Sequence, residues 1–208
     1  MEPYKVPAAD ARDEFTEKKS RFIGHLFRIG SEEEARERLA ALRREYWDAG
    51  HNVWAYVLRA GPARFSDDGE PQGTAGRPTL EVLQREGVFD ALCVTTRYFG
   101  GILLGAGGLT RAYARAAKLA LDAAGIAELR PFALARLRCP YDLLEQVRRA
   151  LPALECEERQ ADYGAEVLLA LALPAEGWDP FVRALTELSA GRLRPERTGE
   201  QMLAKKLR

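Results

Sequence analysis

A strand-like run, Ala91–Phe99 (ALCVTTRYF), leads into a loop crowded with Gly100, Gly101, Gly105, Gly107 and Gly108. The loop leads into an alanine-rich helix, Leu109–Ala124, which Gly125 closes. An unbroken apolar run of strand length predicts a strand buried on both faces. Glycines at this density permit tight turns and a close approach of helix to sheet. They also leave backbone N–H groups free to converge on an anion at the start of a helix. The segment thus predicts an α/β layer with its glycine loop at one end. It is not a Walker A loop, because no Gly-Lys-Ser/Thr follows, and Gly-x-Gly-x-x-Gly is absent.

The rest of the chain supplies partners for that layer. Lys19–Ile29 (KSRFIGHLFRI) reads as a strand. Ser31 with Glu34 forms a capping box that opens an amphipathic helix to about Ala49, closed by Gly50. Asn52–Arg59 and Arg64–Ser66 read as strands, and Pro78 is expected at a first helical position of a short helix ending before Gly87. Beyond Gly125–Pro131 a second unit is expected. Phe132–Cys139 is a strand, Tyr141–Leu151 a helix, Glu155–Ala161 and Glu166–Leu173 a hairpin, Pro180–Ala190 a helix, and Arg192–Arg197 a last strand. Strand-helix-strand-strand-helix-strand is the split βαβ order of a ferredoxin-like domain. A length of 208 residues suits two small domains. They are placed at 1–127 and 128–208.

Charge excludes some functions. Lys+Arg and Asp+Glu are 31 each, so the chain is no histone-like polycation, although a neutral total can hide a local basic face. No apolar run is long enough for a membrane-spanning helix, and no secretory signal is visible. The three cysteines, Cys93, Cys139 and Cys156, are an odd, scattered set that fits buried thiols in a reducing compartment. Two histidines, His25 and His51, leave little room for His-based catalysis or a His-rich metal site. The expectation is a cytoplasmic protein with no cofactor, no metal and no catalytic set.

Two segments carry chemistry. From Ala91 to Leu121 there are four basic residues and no acidic one. Arg111, Arg115 and Lys118 share one helix face. Arg97 sits at the end of the preceding strand, with Tyr98 and Phe99 beside it as stacking partners for bases. This predicts a phosphate or nucleic-acid surface, the plainer alternative being a solvated arginine face. The other segment is Ser66-Asp67-Asp68-Gly69-Glu70-Pro71-Gln72-Gly73-Thr74-Ala75-Gly76-Arg77-Pro78. Its carboxylates could serve acid/base work or hold a hard cation. The plainer alternative is a solvated acidic turn, with Asp68 or Glu70 paired to Arg97 or Arg77.

Phe65–Pro78 and the run Thr96-Arg97-Tyr98-Phe99-Gly100-Gly101-x-x-Leu104-Gly105-x-Gly107-Gly108-Leu109-x-Arg111-Ala112-Tyr113 closely resemble the YigZ/IMPACT family. Lys18-Lys19-Ser20-Arg21-Phe22-Ile23 and His51-Asn52-x-Trp54-Ala55-Tyr56 fit as well. The resemblance implies an α+β protein of two domains. The N-terminal one is an IMPACT-type α/β sandwich, similar to elongation factor G domain IV. The C-terminal one is ferredoxin-like, similar to domain V of that factor, and marks the bacterial branch. Eukaryotic members restrain a starvation-responsive kinase through a further N-terminal domain, and little chain precedes the shared region here. The resemblance implies a binding site at Asp68, Glu70, Thr74, Arg97, Tyr98, Phe99 and Arg111. Arg77, Arg115, Lys118 and the loop glycines complete the expected surface.

The leading expectation is a non-enzymatic protein of translation or its regulation that binds RNA or the ribosome. A protein partner is left open, and neither a membrane nor a specific DNA sequence is expected. Reversing Arg97 or Arg111 to Glu is expected to weaken binding and leave the fold intact. The alternative is an enzyme or binding protein for a small phosphorylated or anionic ligand, held by the glycine loop with Asp68 or Glu70. It requires the acidic and glycine loops to converge in space.

Overall fold

In a computed structural model describing residues 2–207, the protein is α+β and divides into two compact units. One comprises residues 4–129 with 204–207, the other 130–203 with 2–3. Among the described residues no helix is long and apolar enough to cross a membrane.

The larger unit begins with β1 (Tyr4–Pro7), β2 (Ala11–Glu17) and β3 (Ser20–Arg28), then α1 (Glu32–Glu45), β4 (His51–Val57) and β5 (Ala63–Ser66). It continues through α2 (Gly76–Glu86), β6 (Ala91–Tyr98) and α3 (Ala106–Ala124). Its main sheet has the order β2-β3-β6-β4-β5, and all its pairings are antiparallel. β6 lies at the centre, and its side chains alternate between two cores. Ala91 and Cys93 join Leu26, Ala55 and Leu83 beneath α2 and α3. Leu92 and Val94 join Ile23, Tyr56, Ala35 and Leu42 beneath α1. Helices on both faces explain why β6 reads as a continuous apolar run.

The helix starts follow local chemistry. Ser31 Oγ accepts from the Glu34 N–H at 3.1 Å, and the Glu34 carboxylate accepts from the Gly30 N–H at 2.9 Å, close to the expected capping box. The helix stops at Glu45 rather than near Ala49, because Tyr46 turns away to bury its ring against His25. α2 starts at Gly76, so Pro78 is its third residue and not its first. α3 starts at Ala106, which places Gly107 and Gly108 in its first turn rather than in the loop. β1 and β2 escaped the sequence reading, since β2 is mostly polar and exposed.

β7 (Ile126–Cys139) begins six residues before the expected strand; its first four residues belong to the larger unit, where they pair with β1, and the rest open the smaller unit. Then come α4 (Tyr141–Ala150), a 3-10 turn (Leu151–Leu154), β8 (Glu157–Tyr163), β9 (Val167–Pro174), α5 (Trp178–Ser189) and β10 (Glu196–Lys206). The sheet order β10-β7-β9-β8 with two helices is that of the expected ferredoxin-like unit. The last strand runs Glu196–Lys206, well beyond the expected Arg192–Arg197. Its core gathers Leu137, Val147, Leu169, Leu171, Phe181 and Leu185.

Candidate functional site

The acidic loop and the glycine loop meet. His51, Glu70 and Pro71 on one side, with Arg97, Phe99, Leu103, Leu104, Gly105, Ala106 and Leu109 on the other, line an open cleft of about 400 Å³. At its base Arg97 Nη1 donates to Glu70 Oε1 at 2.5 Å, and both side chains are buried. Tyr113, from the inner face of α3, donates its hydroxyl to the same carboxylate oxygen at 2.7 Å. His51 Nε2 lies 3.8 Å from that oxygen, and its Nδ1 donates to the Asp68 carbonyl at 2.8 Å. Burial and the Glu70 carboxylate push the Tyr113 hydroxyl far above the ordinary phenol range, so it stays protonated.

Arg97 is therefore a buried structural cation and not the exposed contact expected of it. Its Nη2 reaches Ser20 Oγ at 3.4 Å, its Nε has no hydrogen-bond partner among the described residues, and its guanidinium lies 5.4 Å from the Phe22 ring centre. Reversal to Glu would bury two carboxylates together, so that variant disrupts the fold instead of sparing it.

The three carboxylates of the acidic loop diverge. Asp67 accepts from the N–H groups of Gly73, Ala75 and Gly76 and so caps α2 from a distance. Asp68 accepts from Arg43 at 2.6 Å and from the Asn52 N–H at 2.7 Å, away from the cleft. Only Glu70 faces the cleft, so the three do not form a shared cation site. Thr74 is spent on the loop itself, donating to the Pro71 carbonyl at 2.7 Å, and Arg77 pairs with Glu81 along α2.

Neighbouring aromatics also part. Tyr98 points to the α1 side and donates to Asp48, whereas Phe99 stands 57% exposed at the cleft mouth, 5.6 Å from the Arg97 guanidinium. Gly100 packs so closely that a Cβ there would sit 2.0 Å from the Lys19 carbonyl carbon. Gly101 and Gly105 take positive φ of 81° and 73°, and Gly105 leads into the open N-terminus of α3. Ile102 and Leu103 between them are exposed.

Arg111, Arg115 and Lys118 do share one face of α3, but they are not equivalent. Arg115 lies 4.3 Å over the Phe15 ring. Lys118 is neutralised by Glu86 and Asp122, which raise its pKa and lie just outside the acid-free stretch. Arg111 is exposed and unpaired among the described residues. The sequence reading left out Ser20 and did not place Tyr113 in the site. Their one signal was their presence inside the motifs quoted above.

The Impact N-terminal domain matches residues 18–121, and a domain of unknown function, DUF1949, matches residues 137–192. The chain is 38% identical to IMPACT family member YigZ of Escherichia coli, over 93% of this chain and 97% of that one. It is 36% identical to IMPACT family member YvyE of Bacillus subtilis, over 84% and 81%. A crystal structure titled as that of a hypothetical protein is 37% identical, covers 96% of this chain and 98% of its own, and superposes with a TM-score of 0.61. Matched along both of its domains, the chain belongs to the IMPACT family.

Proposed function

We propose that this protein is a non-enzymatic component of translation or its regulation that binds RNA, presented by the ribosome, through the glycine loop and the start of α3. The observation that carries this reading is the setting of Phe99. Its ring is exposed beside a buried guanidinium, in the cleft that also takes in Gly105 and Ala106 at the open N-terminus of α3, and the unpaired Arg111 stands over Gly107 in the first turn of that helix. An exposed ring accepts a stacked base of any identity, and free N–H groups with an arginine accept the adjoining phosphate. The enzyme alternative is supported by the convergence of Glu70 and Arg97 on one cleft. It is weakened because that guanidinium is already matched to that carboxylate.

The test is co-sedimentation with ribosomes on sucrose gradients over a salt series, comparing the wild type with Arg111→Glu and Phe99→Ala. Comigration that salt abolishes, and that both variants weaken, is the expected result. Absence of comigration at low salt overturns the reading. A thermal shift with small phosphorylated compounds would then favour the alternative.

A further inference from the structure

Lys18 and Lys19 form the two-residue tip of the hairpin between β2 and β3, closed by the pair Glu17 and Ser20. Their φ values are +46° and +63°. Positive φ at both positions is the condition of a type I′ turn, for which Asn-Gly is the favoured sequence. Two lysines are a poor choice for this backbone: each carries a Cβ that disfavours it, and they set like charges side by side. Both are exposed, and neither ammonium is paired among the described residues. Strain of this kind persists where the side chains serve something other than stability.

The position of the tip says what they serve. Lys19 is the residue whose backbone packs on Gly100, and Ser20, immediately after it, accepts from the Gly100 N–H at 3.2 Å and from Arg97. The turn therefore backs directly onto the loop that carries Phe99. Hairpin tip and glycine loop are one surface, with a ring on one part and two free cations on the other.

We infer that Lys18 and Lys19 are phosphate contacts of this surface, holding the backbone of a single-stranded RNA whose base stacks on Phe99. This rests on the RNA reading above. It adds a specific prediction, because the sequence that relaxes the turn also removes both charges.

The experiment measures fluorescence anisotropy with a labelled oligouridylate, alongside thermal unfolding. It compares the wild type, Arg111→Glu, the double variant Lys18→Asn with Lys19→Gly, and the charge-keeping double variant Lys18→Arg with Lys19→Arg. The Asn-Gly variant is expected to unfold several degrees higher and to bind about tenfold more weakly. Its dependence of log affinity on log salt should flatten by about 1.4, roughly 0.7 for each lost phosphate contact on a single strand. The Arg-Arg variant should retain binding. If the Asn-Gly variant binds like the wild type while Arg111→Glu weakens binding, the lysines are not contacts and the RNA reading stands. If the Asn-Gly variant is no more stable than the wild type, the turn is not strained and the inference falls. If the wild type itself does not bind at low salt, the RNA reading fails and takes the inference with it.

Discussion

Arg97 and Glu70, far apart in the sequence, meet as a buried ion pair with 2.5 Å between Nη1 and Oε1. The pair ties the end of β6 to the acidic loop, and Tyr113 ties the same carboxylate to α3. Replacing Arg97 by Met strands the Glu70 carboxylate and should lower stability by about 3–5 kcal/mol. Adding Glu70→Gln removes the uncompensated charge, keeps an acceptor for Tyr113 and should restore much of the loss. Urea unfolding of the three proteins decides it. An Arg97→Met variant within about 1 kcal/mol of wild type would mean the pair contributes little.

Asp67 holds three backbone N–H groups at 2.8 to 3.1 Å and substitutes for a side-chain cap on α2. Asp67→Ala should lower stability by about 1–2 kcal/mol. The amides of Gly73, Ala75 and Gly76 should exchange hydrogen faster than in the wild type, while those of α5 should not. Unchanged exchange at the three amides would refute the capping role.

At Gly24 the backbone of β3 packs closely on α3. A Cβ there would lie 2.4 Å from the Ala116 carbonyl oxygen and 3.2 Å from the Ala120 Cβ. Gly24→Ala should therefore destabilise by about 3 kcal/mol, as overpacking against a rigid backbone does. Gly177, at the start of α5, has nothing within 4 Å of the corresponding position and a φ of −82°. Gly177→Ala should lie within about 0.5 kcal/mol of the wild type. Differential scanning calorimetry of the two should separate them clearly.

His25 is buried beside Phe27 and Tyr46, with Nε2 unpartnered. Burial first, and the Arg12 guanidinium second, press its pKa down to about 4 against the opposing pull of Glu45 and Glu14. Its folded pKa lies below its unfolded value near 6.5, so the unfolded chain takes up the proton first. The associated stability is complete above about pH 6.5 and is lost as pH falls toward 4, to a total of about 3 kcal/mol. Urea midpoints measured from pH 7 to 5 should fall for the wild type and fall less for His25→Phe. Parallel curves would rule out His25 as the source.

The sequence disclosed those parts of the fold that repeat a period or use a terminal signal. The cap at Ser31, the buried run of β6 and the ferredoxin-like order after Gly125 were all legible. β2 was not, because ARDEFTE keeps one edge in water and carries no alternating apolar pattern. The site was legible as two motifs, and Glu70 with Arg97 was one of the expected pairings, but the sequence did not single that pair out, since only the folded sheet brings the two loops to one cleft. Partner choice was the least legible. A run free of acids looked uniformly basic, yet Lys118 is neutralised from outside it by Glu86 and Asp122. Arg97 looked exposed because a strand end usually is.

β3 holds both the start of the glycine loop and the helix that follows it. Gly100 rests on Lys19 and Ser20 at one end of that strand, and Gly24, four residues further along, sets the depth at which α3 lies. The span from Gly101 to Gly105 is thus hung between two anchors on a single ruler. Its length can change by insertion or deletion at small entropic expense while the anchors stay where they are. The loop can thus be lengthened, shortened or redecorated without rebuilding the frame that presents it.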